Sequence, residues 1–278
     1  MSANEPDKNA AQVEPVPLRL DQIRGGLKVQ RLGTQFHYFK ELDSTNSCAR
    51  RLAEQGAREG EVVIAEQQAE GRGRLGRSWV SPPYRNLYAS VILRPNLAPV
   101  CAPQITLMAA VALADTVASF IAESPKIKWP NDILIGGKKL AGILTESSCD
   151  SRRIEFVILG IGANLNFPRE SMPDHIRERA TSLMEVAGKS VSREIFVRRL
   201  IQDLDRCYGI LEESGFDAIA PRWQARFGLR GKRVRVEMVD EVLIGKAVGI
   251  DPDGALLVEG DDGALQRVIA GDVTPVEG

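Results

Sequence analysis

The sequence predicts an α+β fold in which a small β-barrel follows a larger mixed domain. Strand-like and helix-like segments are mixed without a regular βαβ repeat, and short alternating strands with Gly and Asp turns begin near residue 230. A chain of 278 residues is long enough to give both domains a core. We therefore expect a flexible segment at residues 1–30, the mixed domain at 31–229 and the barrel at 230–278.

Local patterns predict the order of the elements. Oxygen-bearing side chains at Asp43–Thr45 can cap a helix that Gly56 would end. The Ala-rich run Ile105–Ala122 favours a buried helix over a membrane span, because Asp115 lies near its centre. The expected elements are a short helix at 18–30, a strand at 36–42, a helix at 46–55, strands at 61–66 and 86–93, a helix at 104–122, a strand at 126–129, a hairpin at 132–147, a strand at 153–161, helices at 193–213 and 216–226, and short barrel strands thereafter.

Composition indicates a soluble globular protein without a global nucleic-acid-binding charge. Hydrophobic residues make up 44% of the chain, charged residues make up 26%, and the formal net charge is −1. The four cysteines form no CxxC pair, which suits a reducing cytoplasm. Because the only histidines are His37 and His175, we expect neither a histidine zinc site nor a Ser-His-Asp triad. The N-terminus lacks the apolar core of a secretory signal, so we expect a cytoplasmic protein with no membrane attachment.

The loop Gly71–Arg77 (GRGRLGR) is the first candidate site. Its three glycines and three arginines could surround an anion with backbone N–H groups and close over it with guanidinium groups. The loop also fits the GxGxxG pattern of dinucleotide-binding folds. However, Pro82–Pro83 prevents the helix that this fold needs, and no acidic residue stands about 20 residues further on. On the loop alone, a solvated basic turn remains the alternative.

The run Lys128–Asp132 (KWPND) is the second candidate site. The functional interpretation assigns Lys128 to an anionic oxygen and Asp132 to a magnesium ion or its water shell, whereas the structural alternative is ordinary turn chemistry. Two interpretations also stay open for Asp43–Asn46, which could cap a helix or bind a polar heterocycle such as a urea. Asn164 could likewise serve structure or face a cavity.

Taken together, these segments resemble the biotin protein ligase family, in the form without an N-terminal DNA-binding domain. The resemblance rests on DSTN, AEQQAEGRGRLGR, KWPND, KKLAGIL, GIGANLN and GKAVGIDPDGALLV, in this order, over about residues 36–278. It implies an SH2-like mixed-sheet catalytic domain that binds biotin and ATP, followed by an SH3-like β-barrel. Glu70 departs from the small residue that the resemblance leads us to expect. Nothing in the first 35 residues resembles a winged helix, so DNA binding is not expected.

The resemblance also implies roles for individual side chains. Lys128 and Arg74 would be catalytic, with Lys128 binding the biotin carboxylate and then the phosphate. The expected biotin ligands are these two residues and Ser44, Thr45, Asn46, Gln68, Arg72 and Gly73; the expected nucleotide ligands are Arg77, Trp79, Asn131, Lys139 and Asn164; and the expected magnesium ligand is Asp132.

The implied reaction joins biotin to ATP as biotinyl-5′-AMP, releases pyrophosphate, and then transfers biotin to a specific lysine of the biotin carboxyl carrier domain of a biotin-dependent carboxylase. The biotin carboxylate is already ionised at neutral pH, so a histidine-poor sequence suits this reaction. ATP and Mg²⁺ are expected, and the resemblance is compatible with a homodimer. Two other functions stay open. A lipoate or octanoate ligase would need a long apolar slot, and the low aromatic content of 5% weighs against an RNA-binding module.

Overall fold

Two sheets organise residues 16–276, which are the residues that this computed structural model describes. The larger domain contains strands β1 (Gln35–Leu42), β2 (Glu61–Gln68), β3 (Leu87–Leu93), β4 (Lys126–Lys128), β5 (Asp132–Ile135), β6 (Lys138–Cys149) and β7 (Ile154–Ala163). Its helices are α1 (Leu20–Arg24), α2 (Thr45–Glu54), α3 (Ala102–Ala118), α4 (Asp174–Arg177), α5 (Leu183–Ala187), α6 (Arg193–Ser214) and α7 (Ala220–Arg226). The smaller domain contains β8 (Arg233–Glu237), β9 (Val242–Ile250), β10 (Leu256–Glu259), β11 (Leu265–Val268) and β12 (Asp272–Pro275).

The larger sheet is mixed, with the strand order β1-β2-β3-β7-β6-β5-β4. The β1–β2 pair is parallel and the other described neighbours are antiparallel. The smaller sheet is antiparallel, with the order β11-β10-β9-β8-β12. A mixed sheet followed by a small antiparallel one confirms the predicted α+β class.

The beginning of α2 is held by the end of β2 rather than by its own cap. Ser44 occupies the N-cap position, but its side chain makes no capping hydrogen bond, so the expected side-chain cap is wrong at this residue. Instead Gln68 Oε1 accepts hydrogen bonds from the Thr45 backbone N–H at 2.9 Å and from Thr45 Oγ1 at 3.1 Å. One glutamine therefore satisfies an otherwise orphaned helix donor and fixes the end of β2 against α2.

Helix α3 forms the centre of the core and packs against α6 and β6. The helical stretch Pro99–Ala118 is long and apolar enough to cross a membrane, but 72% of its apolar window is buried inside the protein. Burial against other elements explains this composition and agrees with the prediction of a core helix. The helix ends at Ala118, earlier than the predicted end at residue 122.

The expected flexible segment covers residues 1–30, and its described part, from residue 16 onward, packs against the larger domain through Leu18 and Ile23. Residues 1–15 lie outside the described residues, but Leu18 is buried and its backbone N–H donates to Glu66 Oε1 at 2.6 Å. Glu66 is itself buried against the Arg193 guanidinium, at 2.7 Å. Removing either partner would leave a buried charge without its counter-ion. Both partners also bond the backbone of the N-terminal segment, Glu66 at Leu18 and Arg193 at Val16, so the ion pair fixes where this segment crosses the domain.

The barrel contacts the larger domain through a tight turn. Gly254 has φ +89°, and a Cβ there would lie 2.5 Å from Leu107 Cδ1 of α3. The Trp129 indole donates to the Gly254 carbonyl at 3.1 Å. Glycine is therefore needed at this contact for both backbone shape and space.

The predicted helix at 216–226 is divided into a short 3-10 turn and α7, because Pro221 suits a helix start and not its middle.

Candidate active site

A cavity lies between the start of α2, the Gly-Arg loop (Gly71–Arg77) and strands β6 and β7. Its empty space is roughly 820 Å³, a figure that includes volume open to solvent. It is lined by Ser44, Thr45, Asn46, Gln68, Arg72, Gly73, Arg74, Leu75, Arg77, Ser78, Trp79, Asn131, Asp132, Lys139, Gly142, Ile143, Leu144, Gly160, Ile161, Gly162 and Asp272. Most of the side chains named from the sequence therefore meet in one place.

Strand glycines form the floor of this cavity. A Cβ on Gly160 would lie 2.1 Å from Asn46 Oδ1, and a Cβ on Gly162 would lie 2.6 Å from Trp79 Cε2. Any larger residue would push these two side chains off the sheet. Glycine thus lets polar and aromatic groups lie directly on the strand backbones.

The end of the cavity near α2 is polar and highly connected. Ser90 Oγ lies 2.8 Å from Thr45 Oγ1 and 2.7 Å from Asn46 Oδ1. Asn46 Nδ2 donates to Glu146 Oε2 at 2.7 Å, and Arg72 Nη2 reaches the same oxygen at 3.1 Å. Ser90 and Glu146 were not predicted, because each lies inside a strand and carries no motif of its own.

The opposite end of the cavity is cationic. The Lys139 ammonium lies 2.7 Å from Asp132 Oδ1 and 5.3 Å from the centre of the Trp79 ring. Arg74 donates to Asn131 Oδ1 at 3.2 Å and to the Gly271 carbonyl at 3.1 Å, both of them neutral acceptors. Burial lowers the pKa of the Arg74 guanidinium, although nearby carboxylates oppose this. A desolvated cation of this kind favours an incoming anion.

One wall of the cationic end comes from the barrel. Asp272 forms an ion pair with Arg77, and its Oδ1 lies 3.7 Å from Lys128 Nζ. Burial works to raise the pKa of Asp272, but the hydrogen bond from Arg77 and the charges of Lys128, Arg77 and Arg74 outweigh it and hold the pKa below its usual value. Both domains therefore contribute to one site, and this contribution was not foreseen from the sequence.

Two of the predicted site residues do not line this cavity. Lys128 is directed toward Asp272, as described above. Asn164 lines a neighbouring, more apolar cavity and donates to the Thr181 carbonyl at 3.0 Å. That neighbouring cavity is formed by Arg77, Ser78, Trp79, Val80, Lys139, Asn164, His175, Ile176, Arg179 and Ala180. Trp79 lies between the two cavities, and its buried indole N–H has no hydrogen-bond partner in residues 16–276.

The described chain contains no group of three or more His, Cys, Asp and Glu side chains suited to a metal ion. A magnesium ion bound together with phosphates needs only one or two carboxylates. Asp132 fits this requirement. Its buried Oδ1 lies 2.7 Å from the Lys139 ammonium but makes no hydrogen bond within residues 16–276, so this oxygen can still accept a metal ion. Asp272 is the second carboxylate on the cavity wall.

Comparisons with known proteins match both domains. Residues 38–164 match the biotin/lipoate A/B protein ligase family, and residues 230–274 match the biotin protein ligase C terminal domain. The bifunctional ligase/repressor BirA of Bacillus subtilis is 36% identical over 94% of this chain and 80% of its own. The biotin–[acetyl-CoA-carboxylase] ligase of Mycobacterium tuberculosis is 35% identical over 86% of this chain and 88% of its own.

A solved structure supports the same grouping. The biotin protein ligase from Aquifex aeolicus in complex with biotin and ATP has a TM-score of 0.76 and 28% identity, covering 88% of this chain and 100% of that chain. The sequence match to the Bacillus subtilis relative extends along most of both proteins. The chain therefore belongs to the biotin protein ligase family.

Proposed function

We infer that this protein is a biotin protein ligase, which uses ATP to convert biotin to biotinyl-5′-AMP and then transfers biotin to a lysine of a carboxylase carrier domain. The observation that carries this proposal is a single cavity with a polar end at α2, a glycine floor, and a cationic end at the Gly-Arg loop. Such a cavity matches a ligand with a polar ring at one end and a carboxylate at the other. Family membership supports the same assignment.

The polar end suits the ureido ring of biotin, which offers two N–H donors and a carbonyl acceptor. We assign Ser44, Thr45 and Gln68 to this ring, because they line the cavity at the start of α2 and at the adjoining end of β2. The Asn46 amide already bonds Glu146 Oε2, the Leu144 carbonyl and Ser90 Oγ. We therefore give Asn46 the role of positioning the polar end.

The cationic end suits the carboxylate of biotin and the phosphate that it attacks. Arg72, Gly73 and Arg74 lie on the loop above, and Lys139 faces the cavity from the opposite side. We propose Lys139 rather than Lys128 as the lysine that contacts the reacting groups, because Lys139 lines the cavity and Lys128 does not. Lys128 instead lies 3.7 Å from Asp272. Lys128 would then act through Asp272.

The neighbouring cavity suits the adenine of ATP. Trp79 presents an aromatic wall on which a purine can stack, and Asn164 contributes an amide that can read a base edge. Arg77 and Lys139 line both cavities and could bind the phosphates that connect adenosine to the biotin carboxylate. Asn131 supports this arrangement by holding Arg74, with its Oδ1 3.2 Å from Arg74 Nη1.

Magnesium is proposed to bind with ATP at Asp132, with Asp272 as the second available carboxylate. When bound there, a divalent cation would offset phosphate charge and stabilise the departing pyrophosphate. The side chains of this protein do the remaining work. Lys139 and Arg74 hold the carboxylate and the α-phosphate together, the Gly-Arg loop excludes water, and no side chain needs to remove a proton from the biotin carboxylate.

We propose that the acceptor is a biotin carboxyl carrier domain, as the name of the Mycobacterium tuberculosis relative suggests through its carboxylase target. We propose the cytoplasm as the location, since all four cysteines are free. A homodimer is proposed on family grounds alone.

The decisive experiment is ATP–pyrophosphate exchange with biotin, lipoate and octanoate tested in parallel. We expect exchange with biotin and little with lipoate or octanoate, because neither acid has a ureido ring for the polar end. Equal exchange with octanoate would contradict the assignment of the polar end. Magnesium dependence is tested in the same assay by chelation and by readdition of the metal.

A further inference from the structure

A further cavity adjoins the proposed active site on the other side of Arg74. It lies between the first turns of α3, the part of β6 that extends beyond its pairing with β5, and two loops of the barrel. Its lining includes Arg74, Thr106, Leu107 and Trp129 of the larger domain, Ser147 of β6, and Ile269 of the barrel. Both domains therefore form it, as they form the proposed active site.

Three residues line both cavities: Arg74, Ile143 and Leu144. Arg74 is held between them by its bonds to Asn131 Oδ1 and the Gly271 carbonyl. A shift of this one guanidinium toward a bound phosphate would open a passage between the two spaces. The further cavity is thus placed to deliver a reactant to the cationic end.

The β6 edge gives this cavity its outer opening. Pairing of β6 with β5 stops at Gly142. At the next residue, the Ile143 carbonyl accepts a hydrogen bond from Asn131 Nδ2 at 2.8 Å, and the Ile143 N–H donates to the Asn131 carbonyl at 3.0 Å. Beyond this point β6 keeps its partner β7 on one side only among the described strands. Ser147 is exposed at the opening, and Ile269 of the barrel, 71% exposed, stands at the other side.

The lining suits the side chain of a lysine. Leu107, Trp129 and Pro130 offer apolar surface to a methylene stem. Thr106 and Thr145, whose hydroxyls lie 2.7 Å apart, can accept a hydrogen bond from an amine. Among the residues that line the cavity there is no carboxylate, and the one charged side chain is Arg74.

This charge pattern bears directly on reactivity. An amine attacks an acyl group only in its neutral form, and lysine is normally protonated at neutral pH. Desolvation and a nearby cation both disfavour the ammonium, so a lysine entering here would lose its proton more readily. A carboxylate in the same place would have the opposite effect.

We propose that this cavity is the entry for the acceptor lysine of the carrier protein, an inference that rests on the proposed function. The lysine nitrogen forms a bond to the acyl carbon of biotinyl-5′-AMP while the bond from that carbon to the phosphate oxygen breaks. AMP leaves with the electron pair, and the proton lost from nitrogen passes to the phosphate or to water. Arg74 holds the phosphate at the junction until the amine arrives.

The test adds charge at the opening and follows the transfer step alone. Preformed enzyme-bound biotinyl-5′-AMP is mixed with purified carrier domain in a single turnover, from neutral to alkaline pH, for the wild type, Ser147→Glu and the matched Ser147→Gln. A carboxylate that raises the pKa of the entering amine by about one unit should slow transfer about tenfold at neutral pH and move the pH profile upward, while Gln should leave it within about twofold.

A steric variant checks the same site independently. Ser147→Trp should obstruct the lysine stem and lower transfer to the carrier, while hydroxylamine, which has no stem, should still cleave the bound adenylate. Equal transfer by Ser147→Glu and Ser147→Gln, or unimpaired transfer by Ser147→Trp, would overturn the proposal. ATP–pyrophosphate exchange should remain normal in all three variants. Loss of biotin-dependent exchange in the wild type would instead refute the proposed function.

Discussion

At the scale of single residues, the proposed chemistry depends on Arg74, a cation that forms no ion pair with a carboxylate in residues 16–276. Arg74 is half-buried and bonded to neutral acceptors, so its charge is available to a ligand. Arg77 is already paired with Asp272. Two arginines of one loop therefore differ in their contacts: Arg74 bonds only neutral acceptors, whereas Arg77 forms an ion pair with a carboxylate of the barrel.

Replacing Arg74 by Ala should weaken retention of biotinyl-5′-AMP far more than binding of biotin. Loss of a charge-assisted hydrogen bond is worth about 1.5–3 kcal/mol, so we expect release of the adenylate to accelerate about 10- to 100-fold. Release is followed with radiolabelled adenylate, and biotin affinity by calorimetry. Arg152→Ala, at an exposed site, is the control. Equal losses for both ligands would refute this role.

Lys139 and Lys128 can be separated by replacing each with Met, which keeps the length of the side chain and removes its charge. Because Lys139 lines the cavity, its replacement should slow biotin-dependent pyrophosphate exchange about 100-fold, the effect of losing about 3 kcal/mol of transition-state stabilisation. Lys128 lies 3.7 Å from Asp272 and outside the cavity lining, so its replacement should slow exchange less. The reverse order would restore Lys128 as the lysine that contacts the reacting groups.

At the scale of elements, the glycines of β6 and β7 decide where ligands can lie. Gly142 pairs with Gly162, and Leu144 pairs with Gly160, so the three glycines form one continuous patch. Asn46 and Trp79 rest on this patch from opposite ends. The sheet thereby separates the proposed biotin end from the proposed adenine end while keeping them on one surface.

Gly162→Ala should impair nucleotide binding selectively. The new Cβ would lie 2.6 Å from Trp79 Cε2 and displace the indole, so we expect the KM for ATP to rise about tenfold, within the roughly 1–3 kcal/mol that base stacking contributes. Biotin affinity should change less. In the control Gly209→Ala, on α6, the new methyl meets nothing within 4 Å, and stability should rise by up to about 1 kcal/mol. An unchanged KM for ATP in Gly162→Ala would contradict the stacking role.

Elements with a strong local pattern could be predicted from the sequence, and contacts made at a distance could not. The buried helix α3 and the strands beside the two motif loops follow from apolar periodicity and turn residues. The cap of α2 was misassigned because its oxygen comes from Gln68, which is distant in sequence. Ser90 and Glu146 were missed for a similar reason, since tertiary pairing alone brings them to Asn46.

At the scale of the whole molecule, the two domains are joined at the site itself. The Gly271 carbonyl accepts from Arg74, and Asp272 pairs with Arg77. In sequence, the segment around Asp272 resembles an ordinary strand start in the barrel, and it lies far along the chain from the loop that it contacts. Residue patterns could therefore predict the barrel, but not its contribution to the cavity.

Asp272→Asn should loosen the barrel from the larger domain in a pH-dependent way. The pKa of Asp272 is held below its ordinary value, so its ion pairs stabilise the folded state fully above about pH 4 and lose that effect as the pH falls through the folded pKa. At neutral pH the variant should lose about 1.5–3 kcal/mol, the worth of a hydrogen bond to a charged group.

Urea unfolding of both proteins over a pH series measures this difference, with the exposed barrel residue Asp240 changed to Asn as the control. The gap between the wild type and Asp272→Asn should be largest at neutral pH and close under acidic conditions, because a protonated Asp272 resembles the amide. Asp240→Asn should show no comparable gap. A gap that stayed constant from neutral to acidic pH would mean that Asp272 joins the domains by packing rather than by charge.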